Sequence, residues 1–122
     1  MEQYNQYLAA IEQHMGDKTT SEGQLLKVGR LLFGDEFNGV FPADEVDVKR
    51  YGIANLDTSD EPGSHWVAIV HIDGFYLFYD SFGRTPWDDD AEQAIEQSNC
   101  GQRCLAWLVV VHNCGLEKAL TI

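Results

Sequence analysis

The spacing of apolar residues predicts the elements of this chain. Over residues 2–14, Tyr4, Tyr7, Leu8 and Ile11 recur at i, i+3, i+4 and i+7, one face of an amphipathic helix that Gly16 ends. Ser21 with Gln24 three residues on has the form of a capping box, and Leu25, Leu26, Val28, Leu31 and Leu32 carry a second helical face to Gly34. Residues 37–44 read as loop and turn, residues 51–57 as a short strand, and residues 58–64 as a polar, turn-rich stretch.

Two strand-like apolar runs, 65–72 and 75–81, flank Asp73-Gly74, the preferred dipeptide of a type I′ hairpin turn. A two-residue loop fixes the register by counting outward: Ile72 opposes Phe75, Val67 opposes Asp80, and His65 opposes Phe82. His65 shares the face of Val67, so His65 and Asp80 become diagonal neighbours about 7–8 Å apart between backbones, within side-chain reach. A loop of odd length would separate them.

After the hairpin, residues 82–86 turn the chain, and Asp88-Asp89-Asp90 introduces a polar stretch through Gln93 and Gln97. Residues 101–112 are apolar nearly all round, the mark of a buried central helix, with Asn113-Cys114-Gly115 as its stop. Residues 116–122 are expected on the outside. Helices combined with a hairpin, without β-α-β alternation, give an α+β class: a small mixed or antiparallel sheet whose hairpin (65–81) packs on the central helix (101–112).

Composition narrows the function. At 122 residues, 44% hydrophobic and 23% charged, the chain is expected to form one globular domain, 1–122. Eight scattered basic residues and a net charge of −12 leave no cationic stripe for phosphates, so DNA is an unfavourable partner. The N-terminal residues lack the basic and apolar regions of a signal peptide, and no window is apolar enough to span a membrane, so neither secretion by that route nor a membrane partner is expected. Three cysteines, with Cys100 and Cys104 one helical turn apart, do not suggest a disulfide framework and fit a reducing compartment.

The chemistry-bearing residues assemble around a thiol. A cysteine attacks a carbonyl as thiolate, so it needs an environment that favours that form, a neighbouring base, and an acid that orients the base. Asn99-Cys100-Gly101 places Cys100 at the start of the apolar helix, where orphan amides and the positive end of the macrodipole favour a thiolate. His65 supplies a base and Asp80 its orienter, although taken singly His65 also reads as a solvated strand-end histidine and Asp80 as a turn residue. His71 faces Tyr76 near the hairpin tip and reads as structural. Cys104 reads as a small core residue, without the paired spacing of a metal site, and neither a metal nor a cofactor is expected.

Three motifs then stand in order: Gly63-Ser64-His65-Trp66-Val67-Ala68-Ile69, Tyr79-Asp80-Ser81-Phe82-Gly83, and Cys100-Gly101-Gln102-Arg103-Cys104-Leu105. In that order the chain resembles the adenain-type cysteine peptidases, the adenovirus maturation proteases, with their viral and SUMO- or ubiquitin-related relatives. The resemblance covers about half the chain. It implies a papain-like, adenain-like core with a His-Asp-Cys triad and a glutamine that joins the Cys amide in an oxyanion hole. Gln93, seven residues before Cys100, has the spacing such peptidases show, and Gln97, three before, is the competing candidate.

The resemblance further implies a viral cysteine endopeptidase that cuts polypeptide precursors, virion structural proteins at glycine-containing sites, through a thioester acyl-enzyme. The implied setting is a reducing compartment of an infected cell, nucleus or cytoplasm, with the virion as a further place. Adenain-type enzymes are stimulated by DNA and a basic peptide; the charge of −12 argues against the former and is compatible with the latter. Two alternatives stay open: an isopeptidase acting on ubiquitin- or SUMO-like proteins, and a non-catalytic binding module that retains the fold.

Overall fold

A computed structural model describes residues 2–18, 20–55, 65–80 and 99–122. Helix α1, Glu2–Met15, buries Tyr4 and Ile11 and ends at Gly16, whose amide donates to the Glu12 carbonyl with φ at +85°. Helix α2, Glu22–Phe33, begins with the expected capping box: Ser21 Oγ accepts from the Gln24 amide while Gln24 Oε1 accepts from the Ser21 amide. Leu25, Val28 and Phe33 face inward, whereas Leu31 and Leu32 of the same apolar run are exposed.

The sheet has four strands in the order β1 (Phe37–Pro42), β2 (Tyr51–Asn55), β3 (Trp66–Ile72) and β4 (Phe75–Asp80). The strand β1 corrects the expectation of loop and turn over 37–44. It pairs parallel to β2, and the other two pairings are antiparallel, so the sheet is mixed. Asn38 and Gly39, which read as turn residues, sit at an irregularity in the β1–β2 register, where Asn38 Oδ1 accepts from the Lys49 and Arg50 amides at 2.7 and 2.8 Å. Its amide thus organises the return to β2 instead of terminating a strand.

The hairpin follows the turn arithmetic. Asp73 and Gly74 have φ of +52° and +83°, the positive pair a type I′ turn requires, and Ile72 opposes Phe75 while Val67 opposes Asp80. Helix α3, Cys100–Cys114, runs one residue earlier and two later than the apolar segment alone suggested, and stops where the Gly115 amide donates to the Val111 carbonyl at φ +93°. It is buried almost throughout, and each buried Leu or Val there contributes roughly 1.5–3 kcal/mol, which makes α3 the core's central element.

One sheet face, with Tyr51, Ile53, Trp66, Ala68 and Val70, shares a core with α1, α2 and α3; the other carries the smaller cluster of Val48, Ala54 and Ile69. The chain ends in a short helix, α4 (Leu116–Ala119), less peripheral than expected, since Ala119 is buried and its carbonyl accepts from Trp107 Nε1 at 3.0 Å. The architecture is α+β, with helices against a mixed four-stranded sheet. Among the described residues no helix is long and apolar enough to cross a membrane.

Candidate active site

His65 stands immediately before β3 and Asp80 ends β4, so the hairpin register brings both to the same end of the sheet. His65 Nε2 lies 3.0 Å from Asp80 Oδ2. Facing a carboxylate, that nitrogen carries the hydrogen and donates it. The His65 side chain is only 8% exposed and that of Asp80 23%, so water screens the pair weakly.

Cys100 is the first residue of α3 and is 3% exposed. The opening turn of α3 lies against the start of β3. A Cβ on Gly101 would stand 3.3 Å from Trp66 Cδ1 and 2.9 Å from Leu25 Cδ2, so only glycine permits this approach. One turn later Cys104 Sγ donates to the Trp66 carbonyl at 3.2 Å. The helix start is thereby fixed beside the residue that follows His65.

Cys104 lies in the same core. Its thiol is pushed well above the ordinary range, chiefly because burial removes it from water, and the nearby charges of Cys100 and Asp80 push it further. Cys104 is a neutral, fully buried core group, as its sequence position suggested. Cys100, Cys104 and Cys114 form no disulfide.

Of the residues singled out from sequence, His65 and Asp80 are hydrogen-bonded and Cys100 opens α3 at the same end of the fold. Gln93 and its competitor Gln97 lie outside the described residues, as do Ser64 and Trp87. His71 is held away from the pair, stacked on Tyr76 with centroids 4.3 Å apart. Among the described residues no group of three or more His, Cys, Asp or Glu side chains is placed to hold a metal ion.

The support beneath Cys100 was not legible in the sequence. Gln102, on an apolar helix, is fully buried, and its Nε2 donates to the Gly16 and Lys18 carbonyls at 2.8 Å each, tying the α1–α2 connection to the first turn of α3. Thr20, whose hydroxyl lies where a Gly101 Cβ would go, completes the wall. Thr20 Oγ1, Trp66 Nε1 and Gln102 Oε1 are buried without hydrogen-bond partners among the described residues. A polar residue in the first turn of a helix otherwise apolar nearly all round, as Gln102 is, was the available signal.

A thiol at the N-terminus of a helix whose first turn packs on Trp66, the residue after a carboxylate-bonded His65, has the ingredients of nucleophilic attack on a carbonyl. Comparison of the chain with models of known protein families, with curated proteins and with solved structures finds no match in any of the three.

Proposed function

We propose that the chain is a cysteine peptidase of the adenain-resembling kind, on a papain-like core, with Cys100 as nucleophile, His65 as base and acid, and Asp80 as the orienting carboxylate. The reading is carried by the 3.0 Å His65–Asp80 hydrogen bond at the end of the hairpin where Cys100 opens α3. Because Asp80 engages Nε2, proton exchange with the thiol falls to Nδ1.

In this reading the Cys100 thiolate attacks the scissile carbonyl carbon, and the tetrahedral oxyanion is held by the Cys100 amide and, by resemblance, Gln93. The imidazolium of His65 gives its proton to the leaving amine as the C–N bond breaks, leaving a thioester. Water, deprotonated by His65, then attacks the thioester carbon; the C–S bond breaks, the carboxylic acid product leaves, and the Cys100 thiolate remains facing the His65 imidazolium that holds water's proton. The substrates are polypeptides, viral structural precursors cut at glycine-containing sites, and a net charge of −12 disfavours DNA as an activator while suiting a basic peptide.

The test is cleavage of a peptide pool with glycine at varied positions, read by mass spectrometry under reducing conditions. Wild-type chain is expected to cut glycine-containing members, and Cys100→Ala to lose cleavage with its circular dichroism unchanged. No cleavage by the wild type, or cleavage retained in Cys100→Ala, would overturn the proposal.

A further inference from the structure

Asparagine is among the best residues for capping a helix N-terminus, with its side-chain oxygen accepting from an amide of the first turn. This chain uses such a cap at α2, where Ser21 is extended and its hydroxyl accepts from Gln24. Asn99 occupies the cap position of α3 and does not cap. Its backbone is at φ −105° and ψ 25°, and its side chain makes no capping hydrogen bond.

Both ends of that amide are committed elsewhere. Asn99 Nδ2 donates to Glu12 Oε1 of α1 at 2.9 Å, and Asn99 Oδ1 accepts from Arg103 Nε at 3.0 Å. An amide held at both ends cannot turn toward the helix start. The Thr20 hydroxyl, 3% exposed and beside Gly101, has no hydrogen-bond partner among the described residues and does not act as the cap either.

We infer that Asn99 is a positioning residue: clamped between Glu12 and Arg103, its side chain is withheld from the first turn of α3, so that the turn's amides are directed to the Cys100 sulfur and the oxyanion instead of to an internal cap. The inference rests on Cys100 being the nucleophile. Glu12 contributes an anchor from a helix that is remote in sequence, and Arg103 holds the oxygen that would otherwise do the capping.

The measurement is the rate of Cys100 alkylation by iodoacetamide between pH 5 and 9, located by peptide mass spectrometry on the whole folded chain. Asn99→Ser, too short to reach Glu12 and able to cap, is expected to move the reactivity profile to higher pH and to slow labelling at pH 6 by about 2–5-fold, without lowering the melting temperature. Glu12→Ala, which releases Nδ2, is expected to shift the profile the same way, and Glu12→Gln, which keeps an acceptor oxygen, to hold it near wild type. A purely structural Asn99 would instead lower stability and leave the profile in place. Unshifted profiles in both Asn99→Ser and Glu12→Ala overturn the inference; should Asn99→Ser fail to fold, the Glu12 pair decides it. A wild-type Cys100 that labels no faster at pH 6 than Cys114 defeats the peptidase reading itself, a separate outcome.

Discussion

His65 and Asp80 meet because a two-residue turn sets the parity of two strands. The Asp73-Gly74 turn puts Val67 opposite Asp80, and His65, two residues before Val67, reaches the carboxylate diagonally at 3.0 Å. The expected effect of Asp80→Asn follows from this geometry. The amide can present its NH2 to the ring and favour the wrong tautomer, so peptide cleavage should fall by roughly 10²–10⁴-fold while the fold persists. Steady-state cleavage rates with circular dichroism as control check it, and a rate within twofold of wild type would exclude Asp80 as orienter.

How much of this was legible depended on how far the determining partner lies along the chain. The hairpin and the His65–Asp80 pair were readable because a two-residue loop transmits register locally, and the capping box at Ser21 because its partners are three residues apart. β1 was not, because its pairing is parallel to β2 and its Asn38-Gly39 turn signal serves a bulge whose partners are the Lys49 and Arg50 amides. The support of Cys100 was hidden for the same reason: Gln102 reaches the Gly16 and Lys18 carbonyls, and the Asn99 Nδ2 reaches Glu12, each more than 80 residues away. No periodicity encodes such contacts.

Gly101 is a point of close approach between α3 and the sheet. An alanine Cβ there would press on the Thr20 hydroxyl, Leu25 Cδ2 and Trp66 Cδ1, all on buried residues with little room to move. Gly101→Ala is expected to cost about 1–3 kcal/mol by overpacking, more than the modest gain in helix propensity returns. Denaturant unfolding measures it, and a variant as stable as wild type would show that this contact is slack.

Gln102 makes two hydrogen bonds and leaves a third group unsatisfied, so its removal has opposing terms. Gln102→Leu loses the bonds to the Gly16 and Lys18 carbonyls, worth about 1 kcal/mol each, and recovers part of the cost of the buried Oε1. The carbonyls belong to exposed residues and can turn to water. The net is expected at about 1 kcal/mol of destabilisation, with faster hydrogen exchange around residues 16–18 at the site of the lost tether. A variant more stable than wild type would mean that the buried oxygen outweighs both bonds.

Stability should fall in mild alkali for a reason that can be traced to Cys104 and Tyr79. Burial holds both protons on in the folded state, raising Cys104 well above its ordinary 9.0 and Tyr79 well above its ordinary 10.0, with the Tyr4 hydrogen bond adding to the second. For an acid whose folded value is raised, the unfolded chain loses its proton first. The contribution is therefore complete below the unfolded value and disappears as pH climbs from there toward the folded one. The melting temperature is expected to be flat in this respect up to about pH 8, then to decline as first the thiol and next the phenol ionise in the unfolded chain. Cys104→Ala would lower the melting temperature at neutral pH, because it opens a cavity and removes the bond to the Trp66 carbonyl, yet the decline between pH 8 and 10 should be shallower. Tyr79→Phe should remove the later part of the decline, above pH 10, while its ring keeps the stack on Trp107 at 5.0 Å. Parallel curves for all three proteins would place the alkaline sensitivity in other groups.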